Sequence, residues 1–165
     1  MIDILIKNLP IIVVLCPLMT SLLVVLIPNI FFSWVLTTLS TFLTFLFSIL
    51  LYQEIQIYSH ISYALGKWMP PIGIEYIIDK VAIIPAIIIS GISFIATIFA
   101  YKIMPEEIEK KSISKVYSLW LLAIAGLLGL VTTGDAFNLF VFLEISSLAS
   151  VALVAMGAHK DKQAL

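Results

Sequence analysis

The 165-residue sequence has no arginine, one cysteine and few charged residues of either sign. Charged residues make up 12% of the chain, about half their usual share in a soluble domain. Nine lysines against ten acidic residues give a net charge of -1, so there is neither a basic face to follow phosphates nor a guanidinium to read base edges. A single cysteine, Cys16, excludes an internal disulfide and a cysteine-rich metal site. These absences argue against a soluble globular enzyme and against nucleic-acid binding.

The residue types that usually build catalytic or metal sites are equally scarce. The two histidines, His60 and His159, are too far apart in the sequence for a metal-ligand motif. No glycine-rich phosphate loop follows a strand, and no Ser/His/Asp set can be assembled. We therefore expect no cofactor, no metal site, and no hydrolase or NADH-oxidising site within this chain.

Long apolar runs are abundant, because 62% of the residues are apolar. A bilayer-spanning helix needs about 20 such residues, and five segments satisfy this criterion: about 9–27, 30–52, 81–101, 117–133 and 136–157. The first run is too long for a signal peptide and lacks a small-residue cleavage site, so we interpret it as a retained span. The sequence predicts an all-α integral membrane protein with about five transmembrane helices, forming a single membrane domain over residues 1–165.

Two longer connections separate the predicted spans. Residues 53–80 form an outer loop in which apolar residues alternate on both sides of a Gly/Pro-rich break, which predicts a short surface β-hairpin between helices 2 and 3. Residues 102–116 form a charged inner loop. If the N-terminus faces outside, six lysines lie inside and three outside. The positive-inside rule therefore predicts an outer N-terminus and a cytoplasmic C-terminus in a multi-pass protein of the plasma or inner membrane.

Glu144 is the acidic residue that falls inside a predicted span. It follows Ala136 by eight residues, which places it about 12 Å along the helix and within the hydrocarbon layer. Burial of a carboxylate there is costly, so such acids usually lie on ion or proton pathways. The alternative is a protonated carboxyl that hydrogen-bonds another helix, with Ser147 one turn away. Hydroxyls beyond Glu144 fit either an ordered water chain or ordinary helix packing, and both interpretations stay open.

Two motifs resemble a known family. They are GDAFNLFVFLEISSLASVALVA from Gly134 to Ala155 and GKWMPPIGIEYIID from Gly66 to Asp79. Together they resemble the N-terminal part of the D-type subunit family of Mrp-type Na+/H+ antiporters, which is related to the antiporter-like subunits of respiratory complex I and membrane-bound hydrogenases. The resemblance implies that Glu144 is the family's membrane-embedded glutamate of the proton pathway. It also implies that Asp79 is the acid at the start of the third span.

The chain also departs from the family pattern. Family members are much longer and pair their glutamate with a lysine on a later helix, whereas no lysine lies inside a predicted span here. Lys80, Ala82 and Val151 replace an apolar residue, a serine and a tyrosine. We therefore expect a partial antiporter-like subunit that does not transport ions by itself. Asp79, Asp135 and Ser147 are candidate supporting residues for the proton pathway.

Three functional hypotheses follow. The leading one is a membrane subunit, or an N-terminal fragment of one, in a multisubunit cation/proton antiporter that moves H+ and Na+ together with other membrane subunits. The second is the proton-translocating membrane subunit of an NADH-quinone oxidoreductase or a membrane-bound hydrogenase, where redox chemistry in other subunits drives the protons. The third is a structural membrane scaffold without transport. The first makes the chain a transporter subunit rather than an enzyme.

Overall fold

The computed structural model describes residues 7–68 and 73–161. Within them the chain forms five α-helices and a two-stranded sheet. In chain order these are α1 (Leu9–Val25), α2 (Ile30–Tyr58), β1 (His60–Ala64), β2 (Glu75–Asp79), α3 (Ile83–Glu107), α4 (Ile113–Thr132) and α5 (Ala136–Asp161). The mostly helical membrane architecture predicted from the apolar runs is confirmed.

Four helices are long and apolar enough to cross a bilayer. They are α2, α3, α5, and α4 when the short 3-10 turn that precedes α4 is included. The remaining helix, α1, is apolar but has only 17 residues, so it is about 26 Å long, slightly less than a hydrocarbon core of about 30 Å. These helices make the chain a multi-pass membrane protein, and the orientation of its termini stays a prediction.

Several helices extend beyond the predicted spans. α2 continues to Tyr58, into the predicted outer loop, and α3 continues to Glu107, into the predicted charged loop. A 3-10 turn at Lys110–Ser112 then leads directly into α4. The segment 102–116, which the sequence predicts as a charged inner loop, is therefore mostly helical. Hydropathy marks only the apolar part of a helix, whereas lysine and glutamate favour helix formation and let it continue.

The predicted β-hairpin is confirmed, with shifted strand ends. β1 and β2 pair antiparallel, with Tyr63 opposite Tyr76 and Ile61 opposite Ile78. The loop between them begins with a 3-10 turn in which Gly66 has a φ of 63°, a left-handed conformation that glycine adopts without strain. After the Gly/Pro-rich break, the apolar residues predicted to alternate in the second strand begin at Ile72 and Ile74. Ile74 precedes β2, and Ile72 lies outside the described residues.

Successive helices alternate in direction, and the hairpin covers one end of the bundle. At that end a buried apolar cluster joins both strands to the helix ends, with members such as Leu9, Ile55, Ile78, Ile83 and Leu128. A second cluster lies at the opposite end, around Val24, Ile113 and Tyr117. α4 is the central helix and contacts the other four.

Hydroxyl side chains occupy much of the interior. The buried face of α2 consists largely of Ser33, Thr37, Ser40, Thr41, Thr44 and Ser48, whereas large apolar residues such as Phe32 and Leu39 are exposed. Most of these hydroxyls donate to the carbonyl four residues earlier, as Thr37 does to Ser33 at 2.8 Å. Polar groups are thus satisfied locally, and their small side chains allow close helix packing.

Two glycines of α4 allow close contact with α5. A Cβ atom at Gly126 would lie 2.8 Å from the backbone nitrogen and the Cβ of Ser146. A Cβ at Gly129 would overlap the ring of Phe142. Because α5 packs chiefly on α4, these two positions largely determine how α5 is attached to the bundle.

Candidate functional site

Glu144 lies about a third of the way along α5, on the side that the described part of this chain leaves uncovered. Phe142 and Ser146, on either side of it in sequence, are buried toward α4, whereas Glu144 itself is exposed. Phe140, one turn before Glu144, is 63% exposed, and Val151, two turns after it, is 67% exposed. Glu144 is thus a carboxyl on an otherwise largely apolar face with small hydroxyls beside it. We call this surface, formed by Phe140, Glu144, Ser147 and Val151, the open face of α5.

The side chain of Glu144 has no bonding partner within the part of the chain that the structure describes. The Ser147 hydroxyl, which we considered as its partner, instead donates to the main-chain carbonyl of Glu144 at 3.1 Å. Ser147 is therefore on the same face as the carboxyl and is bonded to the helix itself.

Asp79 lies at the end of β2 and bonds the turn that leads into α3. Its Oδ1 accepts hydrogen bonds from the backbone nitrogens of Val81 at 3.0 Å and Ala82 at 2.7 Å. A carboxylate at this position satisfies the backbone donors of the turn and lies near the positive end of the helix dipole. These bonds account structurally for the acid at the start of the third span.

Asp135 has the corresponding position at the start of α5. Its two carboxylate oxygens accept from the backbone nitrogens of Phe137 at 3.3 Å and Asn138 at 3.0 Å. The main-chain carbonyl of Asp135 accepts from Leu139 at 2.9 Å. Asp135 is nine residues before Glu144, so it fixes where the helix begins without touching the candidate proton-carrying group.

A buried polar cluster at the start of α5 was not predicted. Asn138 is only 6% exposed, and its amide donates to the Thr133 hydroxyl at 3.1 Å. Burial raises the pKa of the Tyr76 phenol above its ordinary value, and the nearby Asn138 amide lowers that pKa by a smaller amount. The sequence did contain a signal for this cluster, because Asn138 is an amide inside an apolar run. A polar side chain in a membrane is costly unless it is hydrogen-bonded, so a bonding partner could have been expected.

No set of three or more His, Cys, Asp or Glu side chains that could hold a metal ion occurs among the described residues. The candidate site therefore reduces to one carboxyl on an open helix face, with two aspartates at the hairpin end of the bundle that bond backbone nitrogens. This arrangement can bind and release a proton, and no lysine within the described ranges forms an ion pair with the carboxyl.

Sequence comparison identifies antiporter and respiratory-complex subunits as relatives. The chain is 41% identical over 99 residues to the NADH-quinone oxidoreductase subunit N of Desulforudis audaxviator, covering 60% of this chain and 20% of that protein. It is 35% identical over 96 residues to the D-type subunit of the Na(+)/H(+) antiporter of Alkalihalophilus pseudofirmus, covering 58% and 19%. It is 26% identical over 155 residues to the D-type subunit of the Na(+)/H(+) antiporter of Bacillus subtilis, covering 93% and 31%. No protein-family profile matches the chain.

Two solved structures have the same fold over most of the chain. An archaeal membrane-bound sulfane sulfur reductase complex matches with a TM-score of 0.76 and 29% identity, covering 88% of this chain and 30% of that chain. The Mrp complex of Dietzia sp. DQ12-45-1b also matches with a TM-score of 0.76, at 21% identity, covering 90% and 27%; at that identity the match shows the fold alone.

The chain spans about a fifth to a third of the length of these relatives. Their names and folds nevertheless agree with the resemblance found from the two sequence motifs, in both its antiporter and its complex I branch. The protein is thus similar to one part of the D-type subunits of Mrp-type Na+/H+ antiporters and to the related N-type subunits of NADH-quinone oxidoreductases.

Proposed function

We propose that this chain is a membrane subunit, or the N-terminal part of one, in a multisubunit cation/proton antiporter of the plasma or inner membrane, and that Glu144 carries the proton. The observation that supports this most directly is the position of Glu144 on the open face of α5. The similarity to a D-type antiporter subunit along 93% of the chain gives that position its functional context.

The open face of α5 is unsuited to face lipid. Intramembrane acids almost always face a bundle interior or a water-filled cavity, because a carboxylate in hydrocarbon is costly. The D-type relatives are several times longer than this chain, so they have further segments able to cover the corresponding helix. We therefore infer that other membrane subunits or further helices cover Glu144 in the working complex.

Proton coupling follows from the electrostatics of a covered carboxyl. A nearby cation favours the ionised form of a carboxyl, and removal of that cation favours the protonated form. The resemblance to the family implies a lysine on a later helix as this cation. Movement of the lysine, or hydration of a cavity beside it, would make Glu144 take up and release a proton as sodium moves. Without that helix, the 165-residue chain alone should not transport ions.

A second candidate is the proton-translocating subunit of a redox-driven complex. It is favoured by the 41% identity to a subunit of an NADH-quinone oxidoreductase. In that case the chain would carry protons in the same way, while redox reactions in other subunits supplied the energy. Everted vesicles separate the two: addition of Na+ dissipates a preformed pH gradient for an antiporter, whereas NADH oxidation builds the gradient for the redox complex.

The test of the proposal is Glu144→Gln in the host's assembled complex. We expect loss of Na+-dependent proton movement in everted vesicles with the subunits still co-purifying, since the amide keeps the shape of the side chain but cannot ionise. Glu107→Gln is the matched control, because Glu107 is an exposed acid at the end of α3. Retained antiport in Glu144→Gln would refute the proposal and favour a scaffold, for which substitutions at Gly126 or Gly129 should be more harmful.

A further inference from the structure

β2 contacts the turn between α4 and α5 through its main chain. The backbone nitrogen of Gly134 donates to the carbonyl of Glu75 at 2.8 Å. Tyr76 and Thr133 form an isolated antiparallel bridge beside this bond. The strand therefore pairs with β1 on one edge and with the α4–α5 turn on the other. We call the contact of Glu75, Tyr76 and Ile77 with Thr133 and Gly134 the β2 clamp.

The β2 clamp is tightly packed at Gly134. A Cβ atom there would lie 2.5 Å from Cγ1 and 2.6 Å from Cδ1 of Ile77. The added Cβ and the Ile77 side chain would have to separate by about 1 Å to reach ordinary van der Waals contact. A methyl group at this point fits only if the Ile77 side chain, which is 41% exposed, rotates or if the strand and the turn move apart.

Side chains extend this contact along α5 toward Glu144. Tyr76 is 5% exposed, and its ring centroid lies 6.5 Å from that of Phe142. Phe142 in turn fills the space beside Gly129 of α4, and it is two residues before Glu144. A continuous set of contacts thus connects the hairpin to the turn of α5 that carries the carboxyl.

We propose that the β2 clamp is a positioning element for Glu144. By holding the α4–α5 turn and, through Tyr76, the ring of Phe142, the strand fixes the height and rotation of α5 and so the location of the carboxyl. The functional part of this inference rests on the proposed role of Glu144, whereas the positional part does not. Tyr76 is its positioning residue, because it contacts α5 without reaching the carboxyl.

The perturbation is Gly134→Ala in the full 165-residue chain, reconstituted in phosphatidylcholine/phosphatidylglycerol nanodiscs. In a Cys16→Ser background, spin labels at Ser147 and at the exposed Ile92 of α3 report the position of α5 by pulsed EPR. We expect the mean label distance to change by up to about 1 Å, the separation that the added methyl requires where Ile77 does not rotate away. Gly157→Ala is the matched control, because a Cβ at that position meets nothing within 4 Å.

Rescue and a spectroscopic signature test the positioning role itself. Ile77→Ala removes the two atoms that the new methyl would meet, so Gly134→Ala/Ile77→Ala should restore the label distance. The infrared C=O band of Glu144, isolated by subtracting the spectrum of Glu144→Gln, should shift in Gly134→Ala and in Tyr76→Leu, which removes the ring that contacts Phe142. It should stay unchanged in the matched control Tyr63→Leu, which removes a ring from the neighbouring strand β1 together with its 2.8 Å hydrogen bond to Asn8, the residue before α1.

The outcomes separate this proposal from the proposed function. An unchanged distance and an unchanged carboxyl band in Gly134→Ala would overturn the positioning role, as would an equal band shift in Tyr63→Leu. If Gly134→Ala does not fold, the band in Tyr76→Leu decides in the same way. None of these measurements uses transport, so failure of Glu144→Gln to abolish antiport would refute the proton-carrying role and leave the positional result intact.

Discussion

The contact between α4 and α5 at Gly126 makes a stability prediction that can be worked from the structure. An alanine Cβ there would lie 2.8 Å from the nitrogen and the Cβ of Ser146, and 3.0 Å from the carbonyl oxygen of Phe142. Two of these three atoms are backbone, so no side-chain rotation can remove the clash. α4 and α5 would have to move apart along their shared interface.

The expected magnitude is a balance of two effects. Overpacking of a tight interior site costs about 1–3 kcal/mol, and replacement of glycine by alanine inside a helix returns about 1 kcal/mol. We therefore expect Gly126→Ala to lower the free energy of unfolding by up to about 2 kcal/mol, and to be less stable than a helical Gly→Ala variant without a clash by about 1–3 kcal/mol.

Two other glycines provide matched comparisons. At Gly91 of α3 a Cβ would meet the ring edge of Phe45 at 3.1 Å, and a ring can shift, so Gly91→Ala should be close to neutral. At Gly157 a Cβ meets nothing within 4 Å, so Gly157→Ala should show the helix-propensity gain. The assay is reversible unfolding in mixed micelles of dodecyl maltoside and SDS, followed by circular dichroism. If Gly126→Ala were as stable as Gly157→Ala, the inferred close contact between α4 and α5 would be refuted.

Two further predictions concern the hairpin end of the bundle. Asp135→Ala should lower the free energy of unfolding by about 1 kcal/mol because it removes the N-terminal cap of α5. Asp135→Asn can still accept the two backbone hydrogen bonds, so it should retain most of the stability in the same unfolding assay. Equal loss of stability in both variants would contradict the capping role. Burial raises the pKa of Tyr76 above its ordinary value of 10.0, so its contribution to stability is fully present below pH 10 and is lost as the pH rises through the folded value. The decline in stability above pH 10 should therefore be smaller in Tyr76→Phe than in the unsubstituted chain, and identical pH profiles would exclude this contribution.

Much of the fold was predictable because a membrane helix leaves a direct signal in sequence. Runs of apolar residues identified the segments that form the five helices, and the alternation around residues 61–65 and 72–76 identified the hairpin. Helix ends were less predictable, because α2 and α3 continue through polar residues that hydropathy assigns to loops. Glu144 was found for the same reason as the spans, since a carboxyl interrupts an otherwise apolar run.

The surroundings of the candidate site were not predictable from the same signal. In water, hydrophobicity separates the inside of a protein from its outside, but lipid is as apolar as a packed interior. The spacing of apolar residues along the helices therefore could not predict that the hydroxyls of α2 point inward or that Glu144 points away from α4. Asp79 and Asp135 stay candidate supporting acids, and only the structure showed that Asp79 bonds the turn before α3 and Asp135 the first turn of α5.

The sequence by itself determined that this is a multi-pass membrane chain and predicted that one acid lies deep in a span, because the cost of charge in hydrocarbon makes both features visible in composition. Only the tertiary structure decided which face that acid occupies and what holds its helix in place. The β2 clamp joins residues that are more than 50 positions apart, and no local pattern encodes such a contact. The scarcity of charge thus located Glu144 along the chain, and packing located it in space.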